Sequence, residues 1–218
     1  MIILHNEDCM DAMKRAPNSY WDLGIVDPPY GINMGKTQNW HRPSADIITQ
    51  YKSKDWDSNV PTKEYWSELF RVTKNQIIFG ANYFTPFLPP KKGWMVWDKK
   101  IGDNNFSMFE LIYTSFKTVP KIISIRTYSN DVSNNREKAK QNVRIHPTQK
   151  PIPLYLKLLD KFSNDGDMIL DTHLGSGSSA LAAHQLGKRN FWGYEIDKEY
   201  FDAASKRLEQ YQKQLRMF

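Results

Sequence analysis

The chain has one cysteine and no long apolar run, and each of these absences excludes a class of protein. The single cysteine, Cys9, excludes an intramolecular disulfide and suits a reducing cytoplasm. One cysteine with five scattered histidines does not give the ligand spacing of a zinc site, so we expect no metal. No apolar run reaches the roughly 18 residues that a membrane span needs, and the N-terminus lacks the basic and apolar regions of a signal peptide. These features predict a cytoplasmic protein without a membrane partner.

The sequence also lacks repeats, low-complexity tracts and linkers, so we expect a single domain, residues 1–218. Short apolar runs that fit strands alternate with stretches of helical periodicity. Strands are predicted at 2–4, 23–26, 76–79, 94–97, 167–171 and 190–194, and helices from 8, at 61–70, 151–162 and 178–186, and from 197. Residues 109–116 and 122–125 predict a final antiparallel pair. This order predicts an α/β fold, a doubly wound, mostly parallel sheet with one antiparallel strand.

Positive charge is concentrated in one stretch of the chain. Between Lys117 and Lys150, eight lysines and arginines stand against Asp131 and Glu137, an excess that equals the formal net charge of +6. A charge run is usually a solvated face, but the Asn, Ser, Thr and Gln residues within this one can reach phosphates and base edges. Residues 117–150 are therefore predicted to form a basic target-recognition segment.

A carboxylate, a rigid turn and an aromatic ring follow an early strand. Leu23 to Val26 is a short apolar run that stops at Asp27, and Pro28 and Pro29 have no backbone N–H to continue a ladder. In open α/β sheets, ligands bind at the carboxyl ends of strands, which is where Asp27-Pro28-Pro29-Tyr30 lies. From these four residues alone, an ordinary turn is an equally good interpretation.

A glycine-rich stretch lies between a later strand and a helix. Gly175, Gly177 and Ala180 fit the G-x-G-x-x-G/A nucleotide fingerprint, and Glu195 ends the next strand about twenty residues on. Glycines let the backbone approach a ligand, the helix N-terminus favours an anionic group, and a carboxylate accepts hydrogen bonds from ribose hydroxyls. The stretch predicts a nucleotide site.

Together the two motifs resemble the amino-group DNA methyltransferases, whose catalytic motif is Asp/Asn/Ser-Pro-Pro-Tyr/Phe/Trp. Residues 27–30 match that motif in full, and the nucleotide half comes last, as in the permuted beta class of the family. His146-Pro-Thr-Gln-Lys150-Pro151 resembles the family's third signature, so the resemblance covers nearly the whole chain. The chain departs from the family at His173, where a Phe commonly packs near the cofactor.

The resemblance implies a Rossmann-like methyltransferase that transfers a methyl group from S-adenosylmethionine to the exocyclic amine of adenine in a specific site of double-stranded DNA. The catalytic residues would be Asp27, Pro28, Pro29 and Tyr30: Asp27 and the Pro28 carbonyl accept the amine N–H bonds, and Tyr30 stacks on the flipped base. Asp8, which also suits a helix N-cap, would hold the cofactor adenine, Glu195 its ribose and Lys150 its carboxylate. The expected cofactor-binding residues are Asp8, Cys9, Asp27, His146, Thr148, Lys150, Asp171, Leu174, Gly175, Ser176, Gly177, Ser178, Glu195 and Ile196.

Residues 31–59 form a long segment without periodicity, directly after Tyr30, in which basic and aromatic residues alternate. Such a segment is typical of a lid or nucleic-acid loop, or else of a poorly ordered surface insertion. We expect a mobile loop that contacts DNA and a monomer or homodimer. The expected DNA contacts are Lys36, Arg42, Lys52, Lys54, Arg126, Arg136, Lys138, Lys140 and Arg144.

Other functions remain open at this point. Cytosine, whose amine is also exocyclic, is the alternative methyl acceptor, and an RNA or protein methyltransferase is possible. A nicotinamide-dependent oxidoreductase would use the same glycine fingerprint, although it would normally place that unit first. A basic DNA-binding module would need no cofactor cleft.

Overall fold

An eight-stranded mixed sheet forms the centre of the computed structural model, which describes residues 1–36, 54–102, 107–127 and 145–215. The strands are β1 (Ile2–His5), β2 (Trp21–Val26), β3 (Thr73–Phe79), β4 (Met95–Asp98), β5 (Phe109–Thr114), β6 (Lys121–Ser124), β7 (Met168–Asp171) and β8 (Asn190–Tyr194). Their order in the sheet is β1-β8-β7-β2-β3-β5-β4-β6. Among these described strands, β5 alone runs antiparallel to its neighbours, as the sequence predicted.

Five α-helices cover both faces of the sheet in the described parts of the chain. They are α1 (Cys9–Arg15), α2 (Lys63–Val72), α3 (Ile152–Phe162), α4 (Ser178–Leu186) and α5 (Lys198–Leu215). Helices α1 and α2 bury Met13, Trp66 and Leu69 in one core, and α3 to α5 contribute Leu158, Ala183 and Ala204 to the other. A sheet buried on both faces is the doubly wound arrangement, so the predicted fold class is confirmed. No described helix has both the length and the apolar character needed to cross a membrane.

Two acids cap helices at the positions where the sequence placed them. The Asp8 carboxylate accepts a hydrogen bond from the Met10 N–H at 2.8 Å, and so caps α1. Asp197 accepts hydrogen bonds from the N–H groups of Glu199 and Tyr200 at 3.0 and 3.1 Å, and so caps α5. These bonds satisfy backbone donors that the first helical turn leaves without partners.

The predicted antiparallel pairing of residues 109–116 with residues 122–125 is wrong. Strand β4 lies between β5 and β6; it pairs antiparallel with β5 and parallel with β6. The alternating pattern identified both strands correctly, but β6 is a sheet edge that exposes Ile122, and its buried residue, Ile123, joins the core through β4. Edge strands carry little sequence signal for their neighbour, because one side of the ladder has no partner.

The topological switch point lies between β2 and β7. These strands are parallel neighbours, and the chain continues from β2 towards β3 on one side and from β7 towards β8 on the other. Such a point opens a crevice at the carboxyl ends of the two strands. Asp27 immediately follows β2 and Asp171 ends β7, so both predicted motifs begin at this crevice.

Candidate active site

A cleft of about 800 Å³ opens at the carboxyl ends of β1, β2, β7 and β8. Its walls bring together segments that are far apart in the sequence, including both predicted motifs and the turn before α3. The lining includes Glu7, Asp8, Cys9, Asp27, Pro29, Lys54, Trp56, His146, Thr148, Lys150, Leu174, Gly175, Ser176, Glu195, Ile196 and Tyr200. The volume is in the range of pockets that hold cofactor-sized ligands.

Four polar side chains form a hydrogen-bonded cluster at the β2 end of the cleft. The Tyr30 hydroxyl lies 2.5 Å from Asp27 Oδ1 and 2.8 Å from Glu110 Oε1. Lys150 Nζ lies 2.5 Å from Asp27 Oδ2, 3.0 Å from Glu110 Oε1 and 3.1 Å from the Tyr30 hydroxyl oxygen. Lys99 completes the charge balance from the other side, with its Nζ 3.3 Å from Glu110 Oε2. Two carboxylates and two ammonium groups therefore neutralise one another beside the Asp-Pro-Pro-Tyr turn.

Burial and these charges act on the two carboxylates in different directions. Burial raises the pKa of Asp27 above its usual range, and the nearby Glu110 charge adds to that, although Lys150 opposes both. Burial also raises the pKa of Glu110, but Lys150 and Lys99 outweigh it, so this pKa lies below its usual range. Burial lowers the pKa of Lys150, yet Asp27 and Glu110 hold it above its usual range. Glu110 is thus the firmly ionised acid of the pair.

The ring of Tyr30 is held from two directions. It stacks on Tyr83, with ring centroids 4.9 Å apart and an interplanar angle of 14°. Gly80, at φ +62°, approaches the ring so closely that an added Cβ would lie 2.3 Å from Tyr30 Cε1. Only glycine gives both this left-handed backbone and this approach, so the turn after β3 fixes where the Tyr30 ring can lie.

The backbone that follows Tyr30 is anchored by a buried carboxylate, Asp57. Its Oδ1 accepts hydrogen bonds from the N–H groups of Tyr30 at 2.6 Å and Gly31 at 3.0 Å, and its Oδ2 accepts one from Met34 at 2.8 Å. Three backbone donors on one carboxylate make a strong local tie. Asp57 therefore links the described end of the 31–59 segment to the Asp27–Tyr30 turn by hydrogen bonds.

The glycine-rich turn has the geometry that its sequence predicted. Gly175 and Gly177 adopt φ +51° and φ +72°, and Gly177 is the N-cap of α4. Behind the turn, buried Arg207 donates to the Ser176 carbonyl at 2.8 Å and to Ser178 Oγ at 3.0 Å. Burial lowers the pKa of Arg207 to about 10. Leu174, Gly175 and Ser176 line the cleft as predicted, whereas Gly177 and Ser178, also predicted to bind the cofactor, are not among the lining residues.

Glu195 closes the opposite end of the cleft and is held by backbone donors. Its Oε2 accepts a hydrogen bond from Gly175 N–H at 2.8 Å, and its Oε1 accepts one from Asp197 N–H at 2.9 Å. Burial raises the pKa of Glu195. A carboxylate has about four acceptor positions, so two bonds to ribose hydroxyls are compatible with the two that it already makes.

Asp171 and His173 adjoin the same turn, and His173 lines the cleft. Asp171 accepts hydrogen bonds from Ser179 Oγ at 2.5 Å and His173 N–H at 3.0 Å, and burial raises its pKa to about 7. It supports the turn from below rather than lining the cleft. Burial lowers the pKa of His173 to about 4, so its ring is neutral near pH 7. The His173 ring packs edge-on against Tyr65 at 5.4 Å, the kind of contact that an aromatic residue makes there.

Asp8 and Cys9 line the cleft from the start of α1. The helix cap uses Asp8 Oδ1, which leaves the cap and the proposed adenine contact compatible with each other. Burial raises the pKa of the Cys9 thiol, and the negative charge of Asp8 raises it further, so Cys9 stays protonated at neutral pH. Cys9 is therefore a small apolar wall residue.

Lys54 and Trp56 reach the cleft from the far end of the 31–59 loop. Lys54 Nζ lies 2.6 Å from Asp197 Oδ2 and 3.0 Å from Glu199 Oε2, and 4.3 Å from the Tyr200 ring centroid. The Trp56 ring lies 4.9 Å from that of His146. Thr148 and His146 form one turn, in which Thr148 Oγ1 lies 3.1 Å from His146 Nδ1.

The structure brings most of the predicted catalytic and cofactor residues to one cleft, and of the predicted DNA contacts it describes Lys36, Lys54 and Arg126. Lys54 lines the cleft, where its ammonium group pairs with Asp197 and Glu199. Lys36 is exposed and paired with exposed Asp55 at 3.3 Å, and Arg126 is exposed after β6. The remaining predicted contacts, Arg42, Lys52, Arg136, Lys138, Lys140 and Arg144, lie outside the described residues.

Several residues of the site were not predicted from the sequence, among them Asp57, Tyr83, Lys99, Glu110 and Arg207. Most are lone residues whose partners lie far along the chain, such as Tyr30 for Glu110, 80 positions away. Lys150 was predicted to face a cofactor carboxylate, but its ammonium group contacts Asp27 and Glu110 instead. A buried ammonium group stays charged only if it is paired, and Asp27 and Glu110 are the partners that keep Lys150 charged.

Comparison with known proteins identifies the relatives of this chain. A family model described as DNA methylase, for N6 and N4 methyltransferases, matches residues 89–206. The type II methyltransferase M.HinfI of Haemophilus influenzae is 26% identical over 92% of this chain, which spans 66% of that relative's length. The type II methyltransferase M1.MboII of Moraxella bovis is 22% identical over 93% of this chain and 94% of its own length. The crystal structure of the M1.HpyAVI–SAM complex superposes with a TM-score of 0.61 at 20% identity, covering 95% of this chain and 99% of that one.

Proposed function

Because the chain belongs to the N6/N4 DNA methylase family, whose model matches more than half of it, we propose that it is an S-adenosylmethionine-dependent DNA methyltransferase. It transfers a methyl group to the exocyclic amine of adenine within a specific site of double-stranded DNA, after the base has left the helix. The relatives named above are type II methyltransferases, which favours a role in restriction and modification.

One observation carries this proposal: the Asp27–Tyr30 turn and the glycine-rich turn with Glu195 open into the same cleft. A methyl transfer needs an electrophile and a positioned amine in contact, and the cleft has a candidate site for each at its two ends. A dehydrogenase needs the second site but not an Asp-Pro-Pro-Tyr turn. A DNA-binding module needs neither.

The described residues fit S-adenosylmethionine in kind and in placement. Glu195 has acceptor positions for the ribose, and Asp8 lies beside it in the same cleft for the adenine amine. Leu174, Gly175 and Ser176 surround the space for the methionine end. When bound, the cofactor supplies a methyl group that is activated by a sulfonium centre. A SAM complex of a protein with the same fold supports this choice.

The groups of the chain itself orient the amine. The lone pair of the amine nitrogen is delocalised into the base, so the nitrogen is a weak nucleophile. It becomes a better one when hydrogen bonds to its N–H groups draw the lone pair out of conjugation. Asp27 and the Pro28 carbonyl accept these two bonds, and both contacts strengthen as positive charge develops on nitrogen. Tyr30, fixed by Gly80 and Tyr83, supplies an aromatic surface for the flipped base.

We propose adenine as the acceptor because Asp at the first motif position is more typical of adenine enzymes in the family, and Ser of cytosine enzymes. Cytosine is the second candidate, since the matching family model covers both N6 and N4 methylation.

Nucleoside analysis tests the function and the acceptor in one experiment. DNA from cells that express the protein is digested and its nucleosides are resolved by mass spectrometry, with cells carrying an empty vector as the control. N6-methyladenine is the expected product. N4-methylcytosine as the only new nucleoside would overturn the acceptor, and no new nucleoside in any duplex substrate would overturn the function. Thermal stabilisation by NAD and not by S-adenosylhomocysteine would instead favour an oxidoreductase.

A further inference from the structure

Glu110 of β5 lies at the centre of the polar cluster, although it belongs to neither motif. Its side chain is 10% exposed, and its two oxygens contact three donors. Oε1 lies 2.8 Å from the Tyr30 hydroxyl oxygen and 3.0 Å from Lys150 Nζ, whereas Oε2 faces Lys99 at 3.3 Å. Lys99 therefore fixes one oxygen of Glu110 and leaves the other directed at the donors that it shares with Asp27.

The donors that contact Asp27 are the same ones that contact Glu110. Lys150 bonds to Asp27 at 2.5 Å and to Glu110 at 3.0 Å, and the Tyr30 hydroxyl lies within 2.5 and 2.8 Å of the two acids. A hydroxyl has one proton, so Tyr30 donates to only one of these carboxylates at a time. Both Asp27 oxygens are thus engaged in a way that competes with an incoming amine.

Tyr30 and Lys150 occupy one acceptor position on each Asp27 oxygen, so an incoming amine is held more strongly if these two donors move to another acceptor. Lys150 is 4% exposed, and a buried ammonium group without a carboxylate is strongly unfavourable. Glu110 already lies within hydrogen-bonding distance of both donors, so each can leave Asp27 without a change of rotamer and without losing its last partner. The exchange requires only that hydrogen bonds shift from one acid to the other.

We propose that Glu110 is a positioning residue that takes over Lys150 and the Tyr30 hydroxyl when the target amine binds Asp27. This inference rests on the proposed function, because it concerns the same methyl-transfer step. Glu110 does not touch the base or the cofactor. It acts through Lys150 and Tyr30, and its effect is to free a carboxylate oxygen of Asp27 for the amine.

The variant Glu110→Gln tests this role because it keeps the shape of the side chain and removes its charge. Lys150 then has Asp27 as its one carboxylate partner in the cluster and holds it more firmly. We expect kcat to fall about 10- to 100-fold, the range of one charge-assisted hydrogen bond, while the KM for DNA and the affinity for S-adenosylhomocysteine stay unchanged. The matched control is Glu68→Gln, which removes an acid paired with Arg71 on α2 outside the cleft, and it should keep the wild-type kcat.

The pH dependence of kcat separates positioning from a purely structural role. Asp27 must be ionised to accept the amine, and burial raises its pKa, with the charge of Glu110 raising it further. The groups around Asp27 are Lys150 and Tyr30 in contact, Glu110 beside them, and Asp171 farther off, whose own pKa the Asp27 charge helps to raise. Without the Glu110 charge, the acid limb of the kcat profile should move to lower pH, whereas a loss of packing would leave the limb in place.

Three further variants decide the remaining outcomes. Glu110→Asp keeps the charge, and should give an intermediate kcat with the wild-type acid limb; it is measured with Glu110→Gln and decides the matter if that variant does not fold. In the Lys150→Met background, Glu110→Gln should lower kcat less than it does in the wild type, because Glu110 acts in part through Lys150. A wild-type kcat in folded Glu110→Gln, or a fully additive loss in the double variant, would overturn the inference. Absence of methylation by the wild-type protein would instead overturn the proposed function.

Discussion

At the scale of single residues, Asp27 and Glu195 are two buried acids of the same cleft with different partners. Asp27 contacts a lysine and a tyrosine hydroxyl, whereas Glu195 is held by two backbone N–H groups. We expect Asp27→Ala to abolish turnover and to leave cofactor affinity nearly intact. Glu195→Ala should weaken cofactor binding first, by about 1.5–3 kcal/mol for the charge-assisted bonds that it removes.

Calorimetric titration with S-adenosylhomocysteine and single-turnover methylation measure the two effects separately. Asp202→Ala serves as the control, because Asp202 is exposed and pairs with Lys198 on α5. Equal losses of cofactor affinity in the Asp27 and Glu195 variants would show that the division of roles is incorrect.

The sequence identified the residues of the site that belong to a local pattern. Asp27, Tyr30, Gly175 and Glu195 stand at strand ends within recognisable motifs, and the structure places all four at the cleft or in its wall. Asp57 and Glu110 have no such pattern, because their meaning comes from contacts with Tyr30 across 27 and 80 positions. Pairings at that separation depend on the order of strands in the sheet, which one sequence does not specify.

At the scale of elements, the turn after β3 determines where the Tyr30 ring lies. Gly80→Ala adds a Cβ at 2.3 Å from the Tyr30 ring, so either the ring or the turn must shift. We expect kcat to fall at least about tenfold, since misplacement of a reacting group by about 1 Å has effects up to a hundredfold. Single-turnover methylation with saturating cofactor measures the loss.

Gly166→Ala is the matched control for that variant. Gly166 also has a positive φ, +90°, but an added Cβ there would have no atom within 4 Å. Both variants carry the backbone strain of a non-glycine residue, so both melting temperatures should fall, and that of Gly80→Ala should fall further because of the clash with Tyr30. Activity should fall in Gly80→Ala alone, and an equal fall in both would assign the effect to strain.

The structure contains every strand and helix that the sequence analysis predicted within the described residues, and no predicted bound is off by more than three positions. Helix α2, for example, begins at Lys63 with Thr62 as its N-cap, although Pro61 marked its start. The neighbour of β6 was wrong because alternation reports which side chains are buried and not which strand lies alongside. Tertiary contacts of β4 decide that pairing.

At the scale of the whole molecule, the distribution of positive charge predicts where DNA binds. The 117–150 segment holds an excess of positive charge equal to the net charge of the chain. We propose that this segment and the 31–59 loop form the DNA-facing surface. Neutralising Arg136, Lys138 and Lys140 together should reduce the slope of log K against log salt by about 0.9 for each phosphate that the variant no longer neutralises. Cofactor affinity should stay constant.

Fluorescence anisotropy with a labelled duplex over a series of salt concentrations measures this slope. A control variant neutralises Lys74, Lys188 and Lys213, three exposed lysines: Lys74 in β3, Lys188 just before β8 and Lys213 near the end of α5. It changes the net charge by the same amount and should leave the slope close to that of the wild type. Equal slopes in wild type and the first variant would place the DNA surface elsewhere.

The pairing of β2 with β7 also affects how the chain folds during its synthesis. The backbone N–H of Met168 bonds to Asp22 across 146 positions, and the first strand, β1, pairs with β8 near the other end of the chain. When a nascent chain has left the ribosome as far as residue 150, it contains Asp27 and Tyr30, but β7 and β8 are still missing. Strand β1 then has no neighbour, and the cleft lacks the wall formed by the residues that follow β7 and β8. Such non-local pairing makes folding slow and leaves apolar strands exposed during synthesis. The cofactor can thus bind only after β7 and β8 have been synthesised, and it then stabilises these two strands.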